Sequence, residues 1–497
     1  MVSVALRNIN MKKFFLLAGL LSSFVTALAQ PLQSFIEEKQ QLPVLSGAIW
    51  GGVAAYTQDS STPLFTYNAK TRLTPASTLK LLTTAAALET FGPDHRFETK
   101  LYASATPDAN GVLNGDLYIQ GGADPTLGST RVVGAEKAET VLNTWAKAIE
   151  KAGIRHIKGS IYADISAFEG PSIAPKVNWE NMGNYFAAPA SALSFNDNLF
   201  EIHFKPQPIA NHPAEVAYTV PQIPDLKLQS FVTTDGKSKK DNAYVFGAPG
   251  QYDLKIFGTI PTNKTGFTIK GALPDPALFT MHMLRQVLQD KDIPVDGAAQ
   301  TVTQSPDYKQ MTLLHTYYSP KLKDIVLIVN KRSFNLYADM LLRQLALAAG
   351  QKGSLDNGLM QLQNFLQKNK IAGKSDTVLY DGSGLARDNL LTPQVLLNTL
   401  IFMSNSPYFK DYYNSLATPD DRGDLLVLRR FLKPQKRVDQ VHLKGGTIDS
   451  VKTAAGYVKD RDGNLIAFVL MANNLAGKDE SLLRFHENII KQLLQLP

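Results

Sequence analysis

The sequence contains no cysteine among its 497 residues. Without thiols, the chain cannot form a disulfide scaffold, a cysteine-ligated zinc or iron–sulfur site, or a thiol nucleophile. Any covalent nucleophile must therefore be an oxygen or an amine.

A strong excess of charge of one sign is also lacking. Charged residues make up 19% of the chain, and the net charge of +7 comes without the Lys/Arg block that nucleic-acid binding favours. Hydrophobic residues make up 44%, which excludes a disordered or collagen-like chain. We therefore expect a folded protein of more than one domain that has no nucleic-acid partner.

The N-terminus lacks a hydrophobic run of membrane-spanning length. Lys12-Lys13 precede an apolar run over residues 14–27, and Ala27-Leu28-Ala29 follows. A positive segment, a short apolar core and an A-x-A site are typical of a secretory signal peptide, whereas the alternative, a membrane anchor, needs about 20 apolar residues. We predict a signal peptide at residues 1–29 and a mature protein exported to the periplasm or another extracytoplasmic space, with membrane association that is peripheral at most.

Hydrophobic periodicity in the mature chain predicts an α/β (α+β) protein. Strand patterns at 47–56 and 63–67 indicate a hairpin, and an apolar helix follows at 77–91. Residues 98–319 are mainly strands and loops, with one clear helix near 277–289. Helical periodicity returns after residue 320.

The C-terminal sequence predicts a second hairpin, with strands at 453–459 and 465–472, and then an amphipathic helix at 479–496 that packs on the sheet. The alternation of patterns indicates an α/β domain in two pieces, residues 30–97 and 320–497. A large β-rich insert, residues 98–319 in two subdomains, lies between them.

The first candidate for chemistry is Ser77-Thr78-Leu79-Lys80, at the start of the apolar helix. Residues i and i+3 of a helix share a face, so the Lys80 amine can reach the Ser77 hydroxyl. A serine nucleophile needs such a base, and a lysine serves when burial keeps it neutral. The alternative, for this motif alone, is a capping serine with a surface lysine.

The second candidate is Ser333-Phe334-Asn335, just ahead of a predicted helix. Its hydroxyl could relay a proton while its carboxamide binds a substrate carbonyl; the alternative is a capping serine beside a polar turn residue. Ser194-Phe195-Asn196 has the same pattern but lies in the predicted insert.

The third candidate is Lys444-Gly445-Gly446-Thr447, which enters the terminal hairpin. Glycines within a strand usually mark a close approach of another backbone, which suits a substrate along a sheet edge. The lysine offers a positive charge for a carboxylate. The alternative is an ordinary glycine-rich turn before a strand.

The order S-x-x-K, S-x-N, K-x-G is typical of penicillin-recognising serine acyltransferases. The sequence resembles a D-alanyl-D-alanine carboxypeptidase/endopeptidase of the low-molecular-mass class C penicillin-binding proteins, peptidase family S13. Four further stretches extend the resemblance over the mature chain: Gly121–Leu127, Leu193–Asn198, Asp381–Leu385 and Ala455–Tyr457.

The resemblance implies a β-lactamase-like fold and a serine DD-peptidase that acts on peptidoglycan stem peptides and is inhibited by β-lactams. It assigns Ser77 as nucleophile, Lys80 as base and Ser333 as proton relay. The substrate-binding residues it implies are Asn335, Lys444, Gly446 and Thr447, with the backbone N–H groups of Ser77 and Thr447 as the oxyanion hole. No metal or organic cofactor is expected, and the eight histidines are scattered singly.

One departure from the family pattern concerns the third motif, which is usually Lys-Thr-Gly. Gly445 removes a hydroxyl that could help to hold the substrate carboxylate, and Thr447 is close enough along the chain to compensate. Two alternatives remain open. One is a serine β-lactamase, whose E-x-x-x-N spacing occurs at Glu180–Asn184 within the insert; the other is a peptidoglycan-binding protein of the same fold with weakened catalysis.

Overall fold

The structure, a computed structural model, describes residues 32–38, 42–421, 425–477 and 480–497. The predicted signal peptide at 1–29 lies outside these residues. The chain divides into two compact units. Of the described residues, the first unit contains those up to Leu82 together with Leu366–Val378 and Asn389–Pro497, and the second contains Thr83–Phe365 and Leu379–Asp388.

The strands in chain order are β1 (Ile49–Tyr56), β2 (Phe65–Tyr67), β3 (Glu98–Ala103), β4 (Val112–Leu113), β5 (Leu117–Gln120), β6 (His156–Ile157), β7 (Ile161–Asp164), β8 (Leu199–Phe204), β9 (Val216–Val220), β10 (Lys227–Asp235), β11 (Asn242–Phe246), β12 (Asp253–Pro261), β13 (Phe267–Ala272), β14 (Ala299–Val302), β15 (Thr312–Tyr318), β16 (Thr377–Val378), β17 (Leu390–Leu391), β18 (Val441–Ile448), β19 (Val451–Lys459) and β20 (Leu465–Asn473). The helices are α1 (residues 32–38), α2 (Lys80–Phe91), α3 (Ala138–Lys151), α4 (Pro276–Gln289), α5 (Leu322–Lys331), α6 (Asn335–Ala348), α7 (Leu355–Lys368), α8 (Pro393–Ser404), α9 (Phe409–Ser415), α10 (Leu426–Leu432) and α11 (Glu480–Leu493).

The first unit is built on a five-stranded antiparallel sheet in the order β18-β19-β20-β1-β2. Both predicted hairpins are confirmed, as β1–β2 and β19–β20. The apolar face of α11 packs on this sheet through Phe485 and Ile489, which share a core with Trp50 and Phe468. The prediction that the terminal helix packs on the sheet is therefore also confirmed.

The second unit contains a mixed five-stranded sheet, β14-β7-β5-β3-β15, and two three-stranded sheets, β13-β8-β9 and β10-β12-β11. Its core joins sheet residues such as Ile119 and Ile161 to Trp145 of α3 and Leu284 of α4. The interpretation of the sequence predicted α4 but missed α3, although Val141, Trp145 and Ile149 of α3 follow helical spacing.

The second unit also contains α5, α6 and most of α2 and α7. The two units therefore divide the chain along a line different from the domain boundaries predicted after residues 97 and 319, and those boundaries stay a prediction. Within the described ranges, no helix combines the length and apolarity needed to cross a bilayer.

Candidate active site

Ser77 lies in a 3-10 turn, Ala76–Leu79, that leads into α2 at Lys80. The α-helix therefore begins three residues after its predicted start at Ser77. Because residues i and i+3 of a 3-10 turn eclipse one another, Lys80 Nζ lies 3.0 Å from Ser77 Oγ. Ser77 is half-buried and Lys80 is 0% exposed. The structure thus brings the predicted nucleophile and base into hydrogen-bond contact.

The backbone around Ser77 is held by two side chains from the sheet. Asn473 accepts from Thr74 N (2.6 Å) and donates to Thr74 O (3.1 Å), and Thr453 Oγ1 donates to Pro75 O (2.8 Å). Ala76, next in the chain, has a left-handed φ of 47°, a conformation that persists only where the surroundings fix it. The sequence did not indicate Thr453 and Asn473, because their role depends on strand register rather than on a motif.

Gly446 of β18 lies directly against this turn. A Cβ at position 446 would lie 2.9 Å from both Ser77 N and Pro75 O and 2.3 Å from Thr453 Oγ1. The close backbone approach predicted for the glycines is therefore made by the turn that carries Ser77.

Lys444 shares a face of β18 with Gly446, because alternate residues of a strand point the same way. Its side chain is 1% exposed, and Nζ donates to Gly445 O (2.6 Å). The buried Lys444 amine thus lies on the face of the sheet that the Ser77 turn covers. This position fits the predicted role of Lys444 in binding.

The outer edge of β18 carries backbone donors. Leu443 exchanges two hydrogen bonds with Ala417 (2.9 and 3.0 Å), so its N–H and C=O point to this edge. Since alternate residues of an antiparallel strand direct their backbone groups alike, the N–H groups of Gly445 and Thr447 point there too. The Thr447 side chain is exposed, and its hydroxyl accepts from Lys452 Nζ (3.1 Å).

Ser333 and Asn335 belong to the second unit. Ser333 links α5 to α6 with a left-handed φ of 58°, and Asn335 is the first residue of α6. Both are half-buried. Asn335 Nδ2 donates to Phe186 O (2.7 Å), which fixes the carboxamide orientation.

The Asp381–Leu385 stretch ties α2 to α6 within the second unit. Thr83 Oγ1 donates to Gly382 O (2.7 Å), and Gly382 N donates to Asp339 Oδ1 (2.9 Å). Thr83 lies one turn after Lys80, and Asp339 lies one turn after Asn335. The same loop therefore holds the Thr83 turn of α2 and the Asp339 turn of α6, a role that the sequence did not reveal.

The end of α5 is tied to α2 as well, because Asn330 Nδ2 donates to Thr84 Oγ1 (3.2 Å). In the first unit, the buried Tyr412 hydroxyl donates to Leu81 O (3.1 Å). Burial raises the pKa of Tyr412 well above its ordinary value, so this phenol stays a neutral donor.

The two competing motifs make structural contacts. Ser194 of the second S-x-N is 1% exposed and donates to Ser191 O (3.0 Å). Asn184 of the E-x-x-x-N pattern is 3% exposed and pairs with both backbone groups of Val245, at 3.1 and 2.9 Å. These buried contacts account for both patterns without catalysis.

Potential metal ligands do not cluster in the part of the chain that the structure describes: no group of three or more His, Asp or Glu side chains there is placed to share an ion.

Several known proteins are similar to this chain over most of its length. The D-alanyl-D-alanine carboxypeptidase of Actinomadura sp. is 26% identical over 473 residues, which cover 91% of this chain and 82% of that protein. The D-alanyl-D-alanine carboxypeptidase DacB of Haemophilus influenzae is 25% identical, with 97% and 99% covered.

The crystal structure of penicillin binding protein 4 (dacB) from Haemophilus influenzae has the same fold, with a TM-score of 0.78 over 93% of this chain and 99% of that chain, at 22% identity. A second crystal structure of that protein, complexed with a β-lactam, matches with a TM-score of 0.71 at 21% identity and covers the same shares of the two chains. The predicted fold class of penicillin-recognising serine enzymes is confirmed. Residues 32–494 match the model of the D-Ala-D-Ala carboxypeptidase 3 (S13) family, and the chain belongs to that family.

Proposed function

We propose that the protein is a serine DD-peptidase that hydrolyses the terminal D-Ala-D-Ala bond of peptidoglycan stem peptides, D-Ala cross-links, or both, through an acyl-enzyme. The observation that carries the proposal is the 3.0 Å contact between Ser77 Oγ and the amine of the fully buried Lys80. The relatives named D-alanyl-D-alanine carboxypeptidases support the choice of substrate.

Acylation begins when Ser77 Oγ attacks the carbonyl carbon of the penultimate D-Ala. Lys80 Nζ accepts the serine proton, and burial suits this role because removal from water disfavours the charged ammonium. The backbone N–H groups of Ser77 and Thr447 donate to the oxyanion as charge develops on it. The close contact of Gly446 with the turn keeps Ser77 N facing β18.

The acyl-enzyme forms when the peptide C–N bond breaks and the terminal D-Ala leaves. Ser333 passes a proton to the leaving amine, while Asn335 holds a substrate carbonyl. Water then attacks the ester and restores the Ser77 hydroxyl. The roles of Ser333 and Asn335 are supported by the order of the three motifs and by the loop that joins the early turns of α2 and α6.

Lys444 supplies the positive charge for the terminal carboxylate of the substrate. That charge also disfavours a second ammonium nearby, which supports a neutral Lys80. Gly446 leaves room for the turn, and Thr447 provides the hydroxyl nearest to the one that Gly445 lacks.

β-Lactams imitate the D-Ala-D-Ala end and are expected to acylate Ser77, in keeping with the β-lactam complex of the Haemophilus influenzae relative. Stem peptides lie outside the cytoplasm, so the proposal includes export by the signal peptide at residues 1–29. The predicted domain boundaries, a catalytic domain at 30–97 and 320–497 around the insert 98–319, are carried into the proposal unchanged.

The proposal is tested by mass spectrometry of the purified mature protein after incubation with benzylpenicillin. We expect one penicilloyl adduct on the peptide that contains Ser77 and none in Ser77→Ala. Ser194→Ala, which alters the second S-x-N, is the control and should still be acylated. No adduct on the wild type would overturn the proposal, and an adduct released within seconds would favour a β-lactamase.

Substrate choice is tested with a tripeptide that ends in D-Ala-D-Ala, with the L-Ala-L-Ala tripeptide as control. Release of D-Ala from the first peptide alone supports a carboxypeptidase, and chromatography of digested cross-linked muropeptides shows whether the cross-links are cut as well. Acylation by penicillin without turnover of any peptide would favour the weakened binding protein.

A further inference from the structure

Four side chains of the second unit form a closed circuit of contacts that includes Phe334, the middle residue of the S-x-N motif. Arg131 Nε donates to Asp197 Oδ2 (2.7 Å), and the Tyr337 hydroxyl donates to Asp197 Oδ1 (2.6 Å). The Tyr337 ring packs edge-on against the Phe334 ring, with centroids 4.7 Å apart. Arg131 Cζ, 4.5 Å from the centroid of Phe334, completes the circuit.

The circuit is largely removed from water. Tyr337 is 0% exposed, Phe334 is 7% exposed, and the side chains of Asp197 and Arg131 are 9% and 30% exposed. Burial and the neighbouring Asp197 carboxylate raise the pKa of Tyr337 well above its ordinary value. Ser129 Oγ makes two further hydrogen bonds. It is hydrogen-bonded to the Tyr337 hydroxyl (2.8 Å), and it accepts from Arg131 N (3.0 Å).

Asp197 sits on a loop that is itself rigidly held. Asn196, Asp197 and Asn198 all have left-handed φ angles, between 53° and 58°. The Asn198 carboxamide accepts from Phe195 N (2.9 Å) and donates to Pro189 O (2.7 Å). Asp197 directly follows Ser194-Phe195-Asn196, the second S-x-N pattern. Its carboxylate thus binds residues that pack against Phe334 in the first pattern, Ser333-Phe334-Asn335.

We propose that Arg131 and Asp197 are positioning residues that hold the Ser333–Asn335 segment in its working conformation through Phe334 and Tyr337. The inference rests on the proposed function, in which Ser333 and Asn335 act on the substrate. Neither Arg131 nor Asp197 needs to touch substrate for this role.

The physical basis is that Ser333 holds a left-handed φ, which a serine adopts only where its surroundings over-determine it. Phe334 precedes the first turn of α6, and Tyr337 belongs to that turn. Fixing these two rings on either side of Asn335 fixes both functional side chains. A planar guanidinium can stack on a ring and bond a carboxylate at once, whereas a lysine ammonium cannot do both.

The test compares Arg131→Ala, Arg131→Lys and Asp197→Asn with the wild type by the rate constant for acylation with a fluorescent penicillin. We expect a fall of about tenfold in each, because misplacing a reactive group by a fraction of an ångström slows the chemical step. Arg429→Ala is the matched control, since Arg429 Nε makes the same kind of bond to Asp420 Oδ1 (2.9 Å) in the first unit. That control should stay within twofold of the wild type.

Hydrogen exchange at residues 333–337, followed by mass spectrometry, provides a readout that does not depend on activity. Exchange should rise there in the Arg131 and Asp197 variants and not in Arg429→Ala. A wild type that is not acylated, with exchange still raised in the variants, would overturn the proposed function but not the positioning role. Folded variants with wild-type exchange and acylation within twofold would overturn the positioning role.

Discussion

Gly446 and Ser77 are in backbone contact: a β-carbon at position 446 would lie 2.9 Å from Ser77 N. The glycine of the third motif is therefore required by the turn that carries Ser77. The same turn is held from β19 by Thr453 and from β20 by Asn473. Three adjacent strands of the sheet thus set the position of one serine.

The first prediction concerns Gly446→Ala. Its methyl group would lie 2.3 Å from Thr453 Oγ1, and relief would move the turn away from β18. We expect acylation by penicillin to fall about 100-fold, the cost of misplacing a nucleophile by about 1 Å. Stopped-flow acylation measures this. Gly477→Ala, where a β-carbon meets nothing within 4 Å, is the control; wild-type acylation in Gly446→Ala would contradict the prediction.

The second prediction concerns Gly445→Thr, which restores the usual Lys-Thr-Gly pattern. Positions 445 and 447 share a face of β18, so the new hydroxyl would join Thr447 there. A hydrogen bond to a charged carboxylate contributes about 1.5 kcal/mol or more, so we expect KM for the D-Ala-D-Ala tripeptide to fall about tenfold. Gly445→Val has the same shape without the hydroxyl and should show no fall. An equal effect of the two variants would count against a role for the hydroxyl.

The sequence predicted elements and residues whose signals are local. The two hairpins, the apolar helix and the pair Ser77 and Lys80 all follow from spacings of a few residues. The 3-10 geometry of the Ser77 turn was missed, although it produces the same i, i+3 contact more directly.

The rest of the site depends on contacts between distant parts of the chain. Thr453 reaches Pro75 across 378 residues, and Gly382 reaches Thr83 across 299. No motif marks such pairs, because each is created by strand register or helix packing. Asp197 illustrates the same point: its stretch looked like a misleading copy of S-x-N, yet its carboxylate contacts the residues around the real one.

The third prediction concerns Asp124, which is 2% exposed in the Gly121–Leu127 stretch. Burial raises its pKa to about 6, although hydrogen bonds from Thr126 oppose the shift. Because the folded pKa exceeds the unfolded value, the stabilisation by the proton is complete below about pH 4 and is lost as the pH rises through 6.

Asp124→Asn stays neutral at every pH and should therefore be more stable than the wild type at pH 8, by up to about 3 kcal/mol, with the difference closing towards pH 4. Urea unfolding at pH 4, 6 and 8 measures this. Gln58→Asn, an exposed change that removes no titratable group, is the control and should show no such trend. A gap between Asp124→Asn and the wild type that is the same at all three pH values would show that the Asp124 charge is not responsible.

The fourth prediction concerns His486 of α11, which is 4% exposed and accepts from Trp50 Nε1 (3.0 Å). Burial, with a smaller effect of nearby Lys452, lowers its pKa to about 3. The unfolded chain takes up a proton as the pH falls below about 6.5, whereas the folded chain does not until near pH 3. The stabilisation that the neutral His486 contributes is therefore complete above about pH 6.5 and is lost as the pH falls.

We expect the titration of His486 to lower the free energy of unfolding of the wild type by about 2 kcal/mol between pH 7 and pH 5. His486→Gln keeps an acceptor for Trp50 and does not titrate, so its free energy of unfolding should fall less over that range, even if it is lower at pH 7. Urea unfolding at pH 7, 6 and 5 measures the slopes. Gln495→Asn, an exposed change that removes no titratable group, is the control and should keep the wild-type slope. If His486→Gln has the same slope as the wild type, a group other than His486 causes the loss of stability in acid. Only the titration of the buried His486 makes the slopes of these two proteins differ.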